Sequence, residues 1–267
     1  MESKVDFQLK DKIALVTGGT RGIGRAIALK LANEGVKVAI CARTAADLDN
    51  TRNDFAQLGF HLLTLKVDVS EKGELENLVS DVTEKYGGLD ILVNNAVTSS
   101  NARFDELTDE MFCYHIDVKL MAYVRLARLI LPVMQENKWG RIINIGGMTA
   151  RVVAPLRMTN GIVNAGVANF TKQFSGYAAK HNVTVNCIHP GYTKTERVIE
   201  IFERQAREAN VDLNTILEER TKDIPLGKLI EPENIADLTL FFCSPMAEML
   251  TGQSIAVDGG SGSAVLY

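Results

Sequence analysis

The sequence predicts an α/β fold: a doubly wound parallel sheet of about seven strands in a single domain. Three observations predict it. Short β-branched runs alternate with helical patterns along the chain. The first run ends in a glycine-rich turn that opens directly into a helix. No internal repeat or low-complexity linker divides the 267 residues, a length that one α/β core accommodates.

In chain order, KIALVTG is the first strand and RAIALKLANEG the helix behind it. VKVAICAR and AADLDNTRNDFAQLG form the second pair; HLLTLKVDV is the third strand, followed by a helix through Tyr86; LDILVNNA is the fourth. Further strands are expected at residues 141–145, 183–189 and 254–257. The cofactor-binding half covers about residues 9–140, and a substrate half about 141–260. Residues 196–228 are a charged, mostly helical insertion between a strand end and the last helix. They lie where open α/β sheets bind ligands, so they read as a substrate lid, with a surface helical hairpin as the plainer alternative. Residues 109–131 and 161–180 carry apolar faces wider than one sheet face can cover, which points to association. The tail at 261–267 could reach a neighbouring subunit.

A net charge of −4 without any basic block argues against nucleic acid as a partner. Cys41, Cys113, Cys187 and Cys243 lie far apart, which suits reduced thiols and no metal site. The start MESKVDFQLKDK is too polar for a signal peptide, and no apolar stretch approaches the roughly 18 residues of a membrane span. A cytoplasmic protein with a small-molecule substrate and no membrane partner is expected.

The turn after the first strand reads Thr17-Gly18-Gly19-Thr20-Arg21-Gly22-Ile23-Gly24. Glycines here let the backbone turn tightly, approach a pyrophosphate and offer it the helix N-terminus. The second strand ends Ile40-Cys41-Ala42-Arg43, with alanine where NAD-specific sites place a carboxylate. Arg43, with Arg21, suits the 2′-phosphate of NADP(H).

These motifs resemble those of the short-chain dehydrogenase/reductase family, whose TGxxxGxG pattern is matched at every fixed position. Asp68-Val69 is similar to its adenine-contacting pair, and Asn94-Asn95-Ala96 to its NNAG motif, with Val97 in place of the glycine. Pro190-Gly191 with Thr193 and Thr195 resembles its turn beside the nicotinamide. Pro232-Glu233, Thr251-Gly252-Gln253 and Val257-Asp258-Gly259-Gly260 complete a resemblance over about residues 9–260. It implies a Rossmann-like fold, an oxidoreductase and, because the family pairs the helices at 109–131 and 161–180 across a two-fold axis, a homodimer or homotetramer.

The resemblance also implies a tyrosine proton donor, a lysine four residues later, a serine that holds the carbonyl oxygen and an asparagine on an earlier helix. The family's spacing puts Asn160 at the tyrosine, Asn164 at the lysine, Gly147 at the serine and Lys119 at the asparagine. No tyrosine in the chain has a lysine four residues later. The expected site is therefore atypical, with Lys119, Asn160, Asn164 and His115 as candidate catalytic residues. A partly buried Lys119 could act as acid, base or electrostatic catalyst. His115 shares its helix face and could join the pocket or pack in a helix interface. Arg151 and Arg157, if not simply solvated, would make the pocket cationic and suited to an anionic substrate.

Three functions remain open on the sequence. One is an NADP(H)-dependent oxidoreductase acting on a small carbonyl or conjugated enone. Another is a non-redox lyase, hydrolase or isomerase that stabilises an enolate with Lys119. The third is a non-catalytic nucleotide-binding protein.

Overall fold

The computed structural model describes residues 5–98 and 101–262; most of the tail expected to reach a neighbour lies outside them. Seven strands form one parallel sheet: β1 (Ile13–Thr17), β2 (Lys37–Ala42), β3 (Leu63–Lys66), β4 (Ile91–Asn94), β5 (Gly140–Ile145), β6 (Val183–Pro190) and β7 (Ser254–Val257). Their order is β3-β2-β1-β4-β5-β6-β7, so the chain reverses direction across the sheet between β1 and β4. That reversal opens a crevice beyond the strand C-termini, where ligands of such sheets bind.

Helices α1 (Gly22–Asn33), α2 (Ala45–Gln57), α3 (Lys72–Tyr86), α4 (Asp109–His115), α5 (Ala122–Asn137), α6 (Met158–Ala178), α7 (Glu196–Ala209), α8 (Leu213–Lys222) and α9 (Pro232–Cys243) connect or flank the strands. Side chains that alternate along β1 feed two cores. Ala14 and Val16 pack with Ile27, Leu31 and Leu240 from α1 and α9. Leu15 on the opposite face packs with Leu75, Leu78, Leu126 and Ile130 from α3 and α5. Burial on both faces explains why the strands read as continuous apolar runs.

Residues 196–228 supply α7 and α8 and have a small core of their own, built from Phe202, Ala206, Ile216 and Ile224 with Leu229 beside them. Between α4 and α5, residues Ile116–Met121 adopt a π-helical turn. Such a widened turn often marks a functional site, and this one carries Lys119. Among the described residues no helix is long and apolar enough to cross a membrane.

Candidate active site

The turn after β1 builds a phosphate cradle. Gly18 and Gly22 have φ of 66° and 52°, a region open chiefly to glycine. Gly24 has a different reason to lack a side chain: a Cβ there would lie 2.2 Å from the Gly18 carbonyl oxygen. Asn95, just past β4, clamps the turn by donating its side-chain amide to the Thr17 and Gly18 carbonyls at 2.9 and 3.0 Å. The Thr17 hydroxyl oxygen accepts the Asn95 and Ala96 backbone N–H groups at 2.9 and 3.0 Å.

Above the cradle is a cleft of about 410 Å³ whose walls include Arg21, Arg43, Asp68, Asn95 and Thr195, with Thr20, Ile23, Val69 and Ala96 filling the lining between them. Arg43 stands at its edge and donates to the Tyr114 hydroxyl at 2.8 Å. On the far side, the Thr193 hydroxyl donates to the Gly191 carbonyl, next to Pro190, and the Thr195 hydroxyl caps α7 by accepting the Val198 N–H. The positive-φ turn, the open helix N-terminus and the two arginines fit a dinucleotide with a 2′-phosphate.

Next to Val118, which lines the cleft, the π-turn carries Lys119, whose own side chain is not part of the cleft lining. It is buried, and its ammonium donates to the Gly146 carbonyl at 2.9 Å. Burial pulls its pKa down to about 8; the nearby Cys187 thiol opposes the shift and Arg157 adds to it. Asn164 comes from α6 and donates to the Thr149 hydroxyl at 2.8 Å. A Cβ on Gly147 would lie 2.7 Å from the Asn164 side-chain nitrogen. The asparagine amide thus occupies the space a residue-147 side chain would need. Gly147→Ser is accordingly expected to cost about 1–3 kcal/mol by overpacking, an effect that Asn164→Ala in the same chain relieves; thermal melts of the single and double variants check it.

His189 was not picked out by sequence reasoning, although its position directly before Pro190-Gly191 was available as a signal. Its ring lies under the same loop, where a Cβ on Gly146 would come within 2.5 Å of Nδ1. Nδ1 is 3.1 Å from the Gly147 nitrogen and Nε2 is 2.7 Å from the Ser254 hydroxyl. A neutral ring protonated on Nε2 satisfies both contacts, and burial holds its pKa down at about 4, with Arg151 adding to the shift. The imidazole therefore positions the Gly146-Gly147 step without carrying charge.

The guanidinium of Arg151 donates to the Ser254 carbonyl on β7, and its charge acts on His189 and Cys187. Arg197, in the first turn of α7, lines the nucleotide cleft. It is half-buried, and its pKa is lowered by burial and by the charges of Arg21 and Arg157. His115 is buried, and its pKa is lowered by burial and by Arg197. Asn160 is buried on α6. Among the described residues, Arg157 Nε, Asn160 Oδ1 and Asn164 Oδ1 are buried and find no hydrogen-bond partner.

Comparison with known proteins agrees with the fold and with the nucleotide cleft. A family profile described as enoyl-(acyl carrier protein) reductase matches residues 18–262. The chain is 30% identical to the NADPH-dependent reductase BacG of Bacillus subtilis, with 95% of this chain and 98% of the relative covered. It is 32% identical to the 3-oxoacyl-[acyl-carrier-protein] reductase FabG of Vibrio cholerae, with 95% and 98% covered. The solved structure of L-sorbose reductase from Gluconobacter frateurii, complexed with NADPH and L-sorbose, superposes with a TM-score of 0.94 at 30% identity, covering 98% of this chain and 100% of that one.

Proposed function

Because the chain belongs to the short-chain dehydrogenase/reductase family, we propose that it is an NADP(H)-dependent oxidoreductase for a small carbonyl or conjugated enone, with proton handling rebuilt around Lys119. The cofactor is NADP(H), as in the relatives that carry it. The glycine turn and α1 N-terminus would hold its pyrophosphate, and Arg21 and Arg43 its 2′-phosphate. When bound, NADPH supplies the hydride.

Lys119 carries the reading. Its ammonium spends one hydrogen on Gly146 and retains two more for a substrate oxygen. Buried in a low-dielectric pocket, it stabilises negative charge developing on that oxygen. A pKa near 8 also lets it give up the proton at Nζ at neutral pH. Asn160 and Asn164 stand at the family's tyrosine and lysine positions and cannot donate a proton in this way; their buried oxygens are suited to accept a hydrogen bond from a ligand. The neutral His189 fixes the loop that orients Lys119. His115 is read as part of the pocket wall.

The same reading includes association into a homodimer or homotetramer. It is supported by an aromatic ladder along α6, where the half-buried Phe170 and Phe174 and the exposed Tyr177 follow one another at centroid distances of 5.3 and 6.4 Å.

Calorimetric titration with NADPH and NADH tests the cofactor site, and NADPH oxidation with activated alkenes and diketones tests the chemistry. Failure to bind either nucleotide would overturn the redox reading and leave a cofactor-free role for Lys119. Loss of a charge-assisted phosphate contact is worth about 10- to 100-fold in affinity. Arg43→Ala is therefore expected to weaken NADPH by that factor and leave NADH nearly unchanged, as read by the two titrations.

A further inference from the structure

We infer that Tyr114 is a positioning residue for the nucleotide site: its hydroxyl holds the Arg43 guanidinium at the cleft edge for the 2′-phosphate, and so sharpens the preference for NADPH over NADH. This rests on the assignment of the 2′-phosphate to Arg43 made above. The first observation is the contact itself. Arg43 Nη1 donates to the Tyr114 hydroxyl at 2.8 Å, between residues 71 positions apart in sequence. The partners come from opposite sides of the crevice. Arg43 directly follows β2, Tyr114 lies on α4 beyond β4, and β2 and β4 flank β1 in the sheet. Tyr114 stands about one helical turn before Val118, which lines the cleft, but is not itself part of that lining. Its effect on a nucleotide therefore passes through the arginine.

A second observation is the competing place Arg43 could go. The arginine lines two cavities: the nucleotide cleft, and a neighbouring hollow of about 480 Å³ that is also lined by Lys66 and by the carboxylate residues Asp68, Glu74 and Asp81. Three carboxylates against one lysine attract a guanidinium. Arg43 is exposed, so packing does not fix its rotamer. An untethered side chain would divide its population between the acidic hollow and the cleft, and the Tyr114 hydroxyl biases it toward the cleft.

The remaining donors suit the ligand. With Nη1 engaged, and with no other hydrogen bond or ion pair to Arg43 among the described residues, the edge formed by Nε and Nη2 is left for two phosphate oxygens. That paired geometry is how arginine recognises phosphate most strongly. A guanidinium held near its bound position also loses less conformational freedom when the nucleotide arrives. NADH has a 2′-hydroxyl in place of the phosphate, so it gains little from the same arrangement.

The test titrates the full-length parent, Tyr114→Phe, Arg43→Ala and the double variant with NADPH and with NADH by calorimetry. Phenylalanine keeps the ring and removes the oxygen that accepts from Arg43. Tyr114→Phe is expected to weaken NADPH about 3- to 10-fold and to leave NADH nearly unchanged, so the preference narrows by that factor. In the Arg43→Ala background the same change should have no further effect, because the group it positions is gone. A tyrosine that merely supported the fold would shift both nucleotides and would act with or without Arg43. An unchanged NADPH affinity in Tyr114→Phe, an equal loss for the two nucleotides, or an effect that persists beside Arg43→Ala would each overturn the proposal. Arg43→Ala separates it from the reading beneath it. If that variant loses NADPH affinity and Tyr114→Phe does not, the 2′-phosphate assignment stands and the role of the tyrosine falls. If Arg43→Ala leaves NADPH unchanged, the assignment itself falls and takes the tyrosine with it.

Discussion

Lys119→Met is expected to lower NADPH consumption by about two to four orders of magnitude, the usual worth of a positioned general acid, while NADPH binding by calorimetry stays within a few-fold of the parent. Methionine keeps much of the length and apolar volume of the stem and removes the charge. The pH profile gives a second readout. Carbonyl reduction uses the ammonium form, so the rate should be level at lower pH and fall as pH rises through about 8. Oxidation of an alcohol uses the neutral amine and should rise through the same region. Burial favours the neutral amine, so the shift is downward from the ordinary lysine value, and the inflection belongs near 8 instead of above 10. A methionine variant with parental turnover, or a reduction profile flat across that range, would remove Lys119 from the chemistry.

Gly24→Ala should damage the nucleotide site most severely. The added methyl would meet the Gly18 carbonyl oxygen at 2.2 Å and the Asn95 side-chain nitrogen at 2.5 Å. The carbonyl is backbone and cannot swing aside, so either α1 moves away from the turn or the Asn95 clamp is lost. An overpacking strain of about 1–3 kcal/mol at this position transfers to binding, because the strained atoms are the cradle itself. At tenfold per 1.4 kcal/mol, the NADPH dissociation constant should rise roughly 5- to 150-fold. Calorimetry and a thermal melt measure the two effects, and an unchanged affinity would mean that the turn does not seat the pyrophosphate.

Both variants address features that were legible in the sequence to different degrees. The glycine turn could be read completely, because every fixed position answers a local backbone demand: a positive φ at Gly18 and Gly22, and a steric limit at Gly24. The strand at 254–257 was also placed correctly, since its flanking turns are marked by glycine and aspartate. β5 and β6 each run one residue further than expected, to include Gly140 and Pro190. Glycine and proline punctuate a sequence, but they do not stop hydrogen bonding at a strand end.

Lys119 was identifiable as a residue, whereas its direction was not. The π-turn that aims it spans IDVKLM, which contains neither glycine nor proline and reads like ordinary helix. Arg197 could not be read as part of the site for a similar reason: it lies more than thirty residues beyond Asn164 and is returned to the cleft by α7, which Thr195 caps. Local sequence records which groups exist, and tertiary packing decides which of them meet.

The pair Gly146-Gly147 has a consequence for how this site can change over generations. Its side-chain space is filled from outside, by His189 behind Gly146 and by Asn164 against Gly147. A mutation that placed a hydroxyl at 147 would meet Asn164 before it met a substrate, and a mutation that shortened Asn164 first would leave a hole and remove the hydrogen bond to Thr149. Neither single step improves on its starting point, so residues 147 and 164 are expected to change together or not at all.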